Sequence, residues 1–182
     1  MFIKPKKERS KPKPKHSKQN IPKPHPDDPK YVRTKKMAQI GLDKLSRDYV
    51  IEHKKLEFLS WDYVTEHGKE FGYELWWDPC DGWFIYDNEE DVNYTGLMYE
   101  LHEDCSLMYY AYIQDGLEEG VEVDFYPSGK LKSYSIYHKR KNIEIYYEWY
   151  ENGKIKMHFD DKLKRWFYLD EEGYMLKKAE RK

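Results

Sequence analysis

From about residue 71 onward, apolar and polar residues alternate with the period of two that is typical of half-buried antiparallel strands. In the clearest stretch, residues 143–149, the odd-numbered positions are Ile, Ile, Tyr and Trp, whereas two of the even-numbered positions are glutamates. After a turn, Ile155, Met157 and Phe159 continue the alternation on one expected face. The pattern predicts a β-sheet region over residues 71–182.

Within this region one phrase occurs twice. Residues 125–132 read FYPSGKLK and residues 149–156 read WYENGKIK, so that Gly129 of the first copy corresponds to Gly153 of the second. Weaker copies lie at residues 99–107 and 168–175, and a degenerate turn lies at 78–83. A fixed period of this size indicates a repeat architecture. We therefore expect a mainly β fold, an antiparallel meander of four or five stacked β-hairpins.

The repeated phrase also predicts where the chain turns. The expected structural turn residues are Ser128, Gly129, Asn152, Gly153 and Gly173, with Asp104-Cys105 in the turn of the upstream copy. Asn-Gly between two alternating runs favours a two-residue type I′ turn, in which both central residues have positive φ. Since a slip of one residue would move each side chain to the other face, these turns also fix the register.

The chain before this sheet region has a different character. Residues 1–30 combine repeated Lys-Pro pairs with almost no apolar residues, which predicts a disordered, polyproline-like basic arm. Residues 31–70 predict a short helical or mixed cap in front of the sheet. There, Ser60 is placed to cap a short helix that ends at His67-Gly68, whereas the apolar residues of 50–59 are also compatible with a strand.

Composition bounds the class of protein. Aromatic residues make up 17% of the 182 residues, so most of the chain is expected to fold. The absence of a long apolar run and of a secretory signal, together with two cysteines, favours a cytoplasmic protein. The sequence contains no recognisable catalytic or cofactor motif, and Cys80, His102 and Cys105 are one ligand short of a closed zinc site. We expect no enzyme activity, no cofactor and no metal.

Charge is strongly segregated along the chain. Residues 1–36 carry 13 Lys and Arg against 3 Asp and Glu, a net charge of +10. Residues 70–129 carry 16 Asp and Glu and no Lys or Arg, a net charge of −16. Such a segment predicts a negative potential that attracts a basic partner.

The residues expected to be exposed and to bind this partner are acidic. They are Glu89, Glu90, Asp91, Glu100, Glu103, Asp104, Asp115, Glu118, Glu119, Glu122 and Asp124. Two other interpretations remain open: the acids solubilise an aromatic sheet, or they pair with the chain's own cations. A set of aromatic side chains either adds a binding platform or forms core pairs of the sheet: Trp76, Trp77, Trp83, Phe84, Tyr86, Tyr109, Tyr110 and Tyr112.

The two clear copies of the phrase, with Gly120 opening the first, resemble MORN-like repeats, and most closely those of bacterial antitoxin and immunity proteins of polymorphic toxin systems. The resemblance covers roughly residues 94–176. It implies an all-β repeat sheet and a binding role, with no catalytic residues to carry over. The leading hypothesis is therefore a non-catalytic antitoxin or immunity protein that binds and blocks a basic toxin.

Two rival hypotheses follow from other features. The basic arm could make the chain a nucleic-acid or anionic-membrane adaptor, with an affinity that falls as salt rises. Alternatively, the chain could be a structural or assembly module. Self-association, in which the arm lies over the acidic segment, is a further interpretation.

Overall fold

A computed structural model describes residues 31–36, 39–78, 84–86, 92–138, 142–160 and 163–178. Residues 1–30, for which the sequence predicts a disordered arm, lie outside the described residues, as do Cys80, Glu89, Glu90 and Asp91. The elements, in chain order, are β1 (Tyr31–Lys36), α1 (Gln39–Asp43), α2 (Arg47–Lys54), α3 (Trp61–His67), β2 (Gly68–Glu70), β3 (Leu75–Trp77), β4 (Phe84–Tyr86), β5 (Gly96–Leu101), β6 (Leu107–Gln114), β7 (Leu117–Phe125), β8 (Leu131–His138), β9 (Asn142–Trp149), β10 (Ile155–Asp160), β11 (Arg165–Tyr168) and β12 (Tyr174–Lys178).

The main sheet has eight strands in the order β11-β10-β9-β8-β7-β6-β5-β2. From β5 to β11 each strand pairs antiparallel with its neighbour in sequence, and β2 pairs in parallel with β5. Two further antiparallel pairs, β1 with β12 and β3 with β4, lie outside this sheet. The prediction of a mainly β fold built from antiparallel hairpins is confirmed.

Four turns of this meander share one geometry. They span residues 102–106, 126–130, 150–154 and 170–174, and in each the first residue's N–H donates to the fifth residue's carbonyl at 2.8–3.0 Å. The fourth residue of each turn has positive φ: 64° at Cys105, 74° at Gly129, 85° at Gly153 and 82° at Gly173. The repeat predicted from the sequence is therefore present as four equivalent turns.

The turn type differs from the prediction. Asn152 is not among the described residues with positive φ, so the type I′ turn expected at Asn152-Gly153 is wrong. The loop has the form in which a type I turn is followed by one left-handed residue, usually Gly. Asn152 supports it in another way, because its Oδ1 accepts a hydrogen bond from the Lys154 N–H at 3.0 Å.

A bulge follows each of the first three turns. Met108, Lys132 and Lys156 are the extra residues, since Leu107, Leu131 and Ile155 pair with the residue before each turn and the register then shifts. Because of the last bulge, Ile155 pairs with Trp149 but Met157 pairs with Glu148. The expectation that Ile155 and Met157 share a face is therefore wrong, because a β-bulge interrupts the alternation of period two.

One face of the sheet, which we call the helix-side face, packs against residues 42–64. Val50 and Val64 join Tyr147, Trp149 and other apolar residues of the strands in one buried cluster. The Trp149 indole N–H donates to the Leu45 carbonyl at 2.8 Å. Arg47 donates from its backbone N–H to the Gly153 carbonyl at 3.0 Å and from its guanidinium to the Leu131 carbonyl at 3.1 Å.

The segment of residues 31–70 contains β1, three helices and β2. The predicted cap at Ser60 is confirmed: α3 begins at Trp61, the Ser60 hydroxyl accepts from the Tyr63 N–H, and Gly68 follows the last helical residue. The strand alternative for residues 50–59 is wrong, since the first five of these residues belong to α2 and the remainder has no regular structure. A second apolar cluster joins Leu75 and Phe84 of the β3–β4 hairpin to Met98, Tyr109 and Ala111 of the main sheet.

Candidate partner-binding face

The face of the sheet opposite the helices carries two rows of side chains that cross the strands from β5 to β11. Paired residues of neighbouring strands point to the same face, so the register defines each row. The row nearer the four equivalent turns, which we call the acidic row, consists of Glu100, Tyr109, Asp124, Ser133, Glu148, Met157 and Tyr168. The second row consists of Met98, Ala111, Glu122, Ser135, Tyr146, Phe159 and Trp166. We call this side of the sheet the acidic face; at β5 and β6 the β3–β4 hairpin covers part of it, since Met98, Tyr109 and Ala111 lie in the second apolar cluster.

The repeat determines the positions of the carboxylates in the acidic row. Glu100, Asp124 and Glu148 are separated by one full period of the repeat each, and each stands two positions before an equivalent turn. In each copy the acid lies between two residues of the helix-side core, as Glu148 does between Tyr147 and Trp149. Since neighbouring strands are about 4.8 Å apart, one carboxylate on every second strand gives a spacing of about 10 Å.

Three of the carboxylates on the acidic face are buried. Glu148 is 1% exposed, Asp124 is 6% exposed and Glu122 is 8% exposed. Glu148 accepts from the Tyr146 hydroxyl at 3.2 Å and forms an ion pair with the Lys156 Nζ at 2.8 Å. Asp124 accepts a hydrogen bond from the Ser133 hydroxyl. Buried charges are stable in proteins when hydrogen bonds and opposite charges surround them. These contacts therefore help to compensate the cost of burying the carboxylates of the acidic face.

The burial of Glu122 and Asp124 corrects a sequence prediction. Both were expected to be exposed binding residues, because polar positions of an alternating strand usually face solvent. In β7 the apolar positions pack toward the helices, while Glu122 and Asp124 pair with the buried Ser135 and Ser133. Both faces of the strand are therefore covered, and period two alone does not reveal this.

Tyrosines surround the carboxylates. Burial, followed by the nearby acids, raises the pKa of Tyr109, Tyr137 and Tyr146 well above the usual value for a phenol. For Tyr137 the acids are Glu122, Glu118 and Asp124. The phenols therefore stay protonated at neutral pH, and the acidic face combines carboxylate acceptors with hydroxyl groups.

The other predicted acids are distributed unevenly. Glu100 and Glu118 are half-buried, and both raise the pKa of Tyr109, so they belong to the acidic face. Glu103 and Asp104 are exposed in the 102–106 turn, where hydrogen bonds from Ser106 lower the pKa of Asp104. Asp115 is exposed in the turn between β6 and β7 and accepts from the Asn93 amide at 3.4 Å.

Glu119 belongs to a separate exposed group. Its carboxylate lies 3.2 Å from His138 Nδ1, and the Glu144 carboxylate lies 3.1 Å from His138 Nε2. The hydrogen bonds to these acids raise the pKa of His138. The group is thus distinct from the acidic face.

The sequence predicted Glu100, Glu118, Glu122 and Asp124 of the acidic face, but it missed Glu148. The signal that could have found Glu148 was its place in the repeat, one period after Asp124. Its segment of the chain carries lysines as well as acids, so a charge count along the sequence does not single it out.

The proposed aromatic platform divides between the two faces. Phe84, Tyr109 and Tyr110 are buried, in agreement with the core interpretation, whereas Tyr112 is 40% exposed. On the helix-side face a cavity of about 360 Å³ is lined by Lys55, Glu57, Phe58, Leu59, Tyr110, Tyr112, Val121 and Tyr134. The Tyr110 hydroxyl at this cavity accepts from the Leu59 N–H at 3.1 Å.

Neighbouring repeats are also joined along the edge formed by the turns. The Tyr126 hydroxyl donates to the Trp149 carbonyl at 2.7 Å, and the Tyr150 hydroxyl donates to the Leu169 carbonyl at 2.8 Å. His102 Nε2 lies 3.3 Å from the Phe125 carbonyl in the equivalent position. Each hairpin is therefore fastened to the next one just beyond the acidic row, which fixes the spacing of the carboxylates.

Comparisons with protein-family models, with curated proteins and with solved structures found no match to this chain. Among the residues that the structure describes, no group of three or more His, Cys, Asp or Glu is placed to hold a metal ion. Within the same residues, no helix is long and apolar enough to cross a membrane.

Proposed function

We propose that this chain is a non-catalytic protein-binding module whose acidic face binds a cationic segment of a partner protein. The observation that carries the proposal is the acidic row, in which Glu100, Asp124 and Glu148 occupy the same position of three successive hairpins. Repetition of one chemical group at a fixed spacing suits a ligand that is itself extended and repeatedly charged.

The environment of the carboxylates supports this preference. Buried and half-buried acids act in a medium of lower effective dielectric, where attraction for a cation is stronger than in water. Lys156 shows the mode of recognition within the chain, because its ammonium group lies 2.8 Å from Glu148. The same field repels phosphate groups, so the acidic face favours a basic protein over nucleic acid.

We further propose that the partner is a basic bacterial toxin and that the chain acts as an antitoxin or immunity protein. The net charge of −16 over residues 70–129 and the resemblance of the repeated phrase to MORN-like units support this identification. Binding would occlude the basic surface with which such a toxin contacts its substrate. Electrostatic complementarity would speed the encounter and select the cognate toxin.

The binding experiment compares faces. A fluorescent lysine-rich peptide is titrated into the full chain, into E100Q/E118Q, which neutralises two half-buried acids of the acidic face, and into E52Q/E57Q, which neutralises two exposed acids on the helix side. We expect the affinity to fall at least tenfold for the first variant and to be unchanged for the second. Equal affinity for all three chains would contradict the proposal.

The toxin assignment needs a separate experiment. Basic proteins that co-purify with the chain from its own cells are expressed alone and together with it. We expect at least one to arrest growth alone, and growth to be restored by the wild type and by E52Q/E57Q but not by E100Q/E118Q. Failure of every co-purifying protein to arrest growth would contradict the toxin assignment, while peptide binding would still support the binding module.

A second candidate function rests on the basic arm. The net charge of +10 over residues 1–36 suits nucleic acid or an anionic membrane. An affinity for duplex DNA or for phosphatidylserine vesicles that falls steeply with salt, and that is lost when the arm's lysines are changed to glutamine, would support it. An affinity unaffected by those changes would contradict it.

A further inference from the structure

We infer that the cavity on the helix-side face binds a small, uncharged, planar heteroaromatic molecule that carries hydrogen-bond acceptors and donors, which is the chemistry of a nucleobase. The cavity lies on the opposite side of the sheet from the acidic face, so the inference goes beyond the proposed function and does not depend on it. It follows from the shape of the cavity, from the segment that closes it and from the polar groups that line it.

Three neighbouring strands form the walls and the floor of the cavity. Tyr110 on β6, Val123 on β7 and Tyr134 on β8 pair across the sheet, so they share one row on the helix-side face. The backbones of the two tyrosines are two strands apart, about 10 Å, with the smaller valine between them. Val121, two residues before Val123 on the same strand, lines the cavity. The row therefore leaves a slot between two aromatic rings above a valine floor, a shape that suits a flat ring.

An irregularity in the sheet places a third aromatic ring at this slot. Between two successive pairs of the β6–β7 ladder, Tyr112 alone stands opposite residues 119–121. Gly120, in the middle of these three residues, has a φ of 84°. Bulges bend a strand and redirect its side chains, and they are frequent beside functional sites. Here the residues on both sides of the bulge, Tyr112 and Val121, line the cavity.

The segment of residues 55–59, between α2 and α3, closes the slot. It is fastened to both walls. The Leu59 N–H donates to the Tyr110 hydroxyl at 3.1 Å, and the Phe58 ring meets the Tyr134 ring edge-on, with 6.0 Å between the ring centroids. Ligand cavities in proteins are largely formed before the ligand enters, and contacts of this kind fix the shape of the cavity in advance.

The helices on either side of this segment are copies of one another. Residues 45–55 read LSRDYVIEHKK and residues 59–69 read LSWDYVTEHGK, so eight of the eleven positions are identical. Val50 and Val64 occupy the same position in the two copies and are buried in the same core cluster. In both copies a tyrosine stacks on the histidine one turn later, with 3.7 and 4.2 Å between the ring centroids. The segment that closes the cavity is therefore anchored at both ends by the same packing.

Two hydroxyl groups at the cavity have hydrogen-bonding capacity left. The Tyr110 hydroxyl accepts from Leu59, but among the described residues no acceptor takes its own proton. Tyr134 is 6% exposed, and its hydroxyl makes no hydrogen bond within the same residues. Burial raises the pKa of both phenols, that of Tyr110 to about 12, so both keep their protons at neutral pH. A buried hydroxyl without a partner costs free energy, which favours a ligand that offers acceptors.

The charged groups at the cavity are one of each sign. Lys55 and Glu57 both line it, and both are exposed. Because the two charges balance, the cavity favours a ligand without net charge, to which the ammonium group donates and the carboxylate accepts. A nucleobase combines a flat aromatic ring with ring nitrogens that accept and amino groups that donate. The volume of about 360 Å³ is at the small end of ligand cavities, about 300–1,000 Å³, which suits a single nucleoside.

The same chemistry occurs in a free nucleoside and in a base of a nucleic-acid strand. A strand also brings a phosphate for every base. On α2 and α3 together, four acids and one lysine are exposed, so the surroundings of the cavity repel a polyanion. The cavity therefore fits the free molecule better than the strand.

The first experiment titrates the full chain with adenosine and follows the amide NMR signals. We expect saturable binding, with the largest shifts in residues 55–59. Val121→Phe fills the floor of the slot and should weaken binding by about tenfold or more, because the ligand loses its place between the rings. The control, Ile136→Phe, makes a similar change at the half-buried neighbour of Val121 on β8, which does not line the cavity, and should leave the affinity unchanged.

The second experiment tests the hydrogen bond from Tyr110 with two ligands of the same shape. Benzimidazole has a ring nitrogen that accepts a hydrogen bond, whereas indole has none. We expect the full chain to bind benzimidazole about fivefold more tightly than indole, and Tyr110→Phe to abolish this preference. The control, Tyr99→Phe, removes a hydroxyl from the same row of the sheet outside the cavity and should keep the preference. Since both variants retain the ring, they test the site even where Val121→Phe does not fold.

Several results would overturn the inference. One is the lack of saturable binding of adenosine and benzimidazole in the millimolar range. Others are equal affinities for benzimidazole and indole, or equal weakening of adenosine binding by V121F and I136F. Tighter binding of a single-stranded deoxyadenosine oligonucleotide than of adenosine, again weakened by V121F, would replace the free molecule by a strand.

The lysine-rich peptide separates this inference from the proposed function. The peptide is expected to bind the opposite face, so V121F should bind it as the wild type does. A chain that binds the peptide but not adenosine would overturn the inference and leave the proposed function standing. A chain that binds adenosine with the expected effects of the variants, but not the peptide, would support the inference and contradict the proposed function.

Discussion

The two faces of the eight-stranded sheet are made by the same strands, yet they exclude water by different means. The helix-side face places apolar residues such as Trp149 and Val123 against Val50 and Val64. The acidic face withdraws Asp124 and Glu148 from solvent to a similar degree, but surrounds them with hydroxyl groups and Lys156. The difference shows that the helix-side face gains stability from apolar packing, whereas the acidic face bears an electrostatic cost, which is compatible with the proposed binding role.

The largest expected effect is on the helix-side face. Trp149→Ala removes a fully buried ring and the hydrogen bond to the Leu45 carbonyl, so we expect unfolding to become easier by about 3–5 kcal/mol. Urea denaturation followed by circular dichroism measures this loss. The control is Tyr112→Ala in the same sheet, 40% exposed, which should cost well under half as much. Similar losses for the two variants would contradict the assignment of the core.

The second-largest expected effect is the loss of stability when a buried carboxylate of the acidic face loses its cation. Lys156→Met removes the ion pair of Glu148, and removal of one partner of a buried pair costs about 3 kcal/mol or more. Because Lys156 is 22% exposed, we expect a loss of about 2–3 kcal/mol. The double variant E148Q/K156M should recover more than half of it, since the buried charge that Lys156 compensated is gone as well.

The control for this pair is Lys130→Met, at an exposed position in the equivalent turn. Surface substitutions of this kind change stability by about 0.5 kcal/mol or less. If K156M lost as little unfolding free energy as K130M, or if the double variant were no more stable than K156M, the ion pair would not stabilise the buried Glu148.

The two faces also differ in the pKa values of their buried tyrosines. Burial raises the pKa of Tyr110, on the helix side, to about 12, whereas burial and neighbouring carboxylates raise that of Tyr137 still higher. A phenol with a raised pKa binds its proton more tightly in the folded chain. Its contribution to stability is therefore complete below the unfolded pKa of about 10 and is lost as pH rises through the folded value.

We therefore expect the free energy of unfolding to decline above about pH 10, and ultraviolet titration to show Tyr110 ionising before Tyr137. The variants Y110F and Y137F assign the two steps, because each removes one phenol and keeps the ring. In E118Q the step of Tyr137 should move to lower pH, while that of Tyr110 should not move. The reverse order of ionisation would contradict the electrostatic difference between the faces.

Much of this fold could be predicted from the sequence, because the repeat shows the turns and the alternation shows the strands. One prediction failed because of a local feature, the bulge at Lys156, which places Ile155 and Met157 on opposite faces. The burial of Asp124 failed for another reason, since alternation shows which residues share a face but not what covers it. The sequence did not single out Glu148 because its segment, residues 130–182, carries more Lys and Arg than Asp and Glu, whereas the sheet brings acids of different repeats together.

The smallest expected effect concerns the turns that decide which face each residue occupies. Cys105 adopts a φ of 64° where the equivalent turns have Gly129, Gly153 and Gly173. A non-glycine residue in this left-handed conformation costs about 1 kcal/mol relative to glycine. Glycine keeps only part of this advantage, because it makes the unfolded chain more flexible. We expect Cys105→Gly to raise the free energy of unfolding by about 0.5 kcal/mol, measured by urea denaturation under reducing conditions.

The matched variant is Gly129→Ala, because a Cβ at Gly129 would meet no atom within 4 Å and only the backbone conformation opposes it. It should cost about 1 kcal/mol. Gly153→Ala should cost more, since its Cβ would lie 3.3 Å from the Arg47 guanidinium. If C105G destabilised the chain as G129A does, the 102–106 turn would not be equivalent to the others. Glu100 would then not owe its place in the acidic row to the repeat.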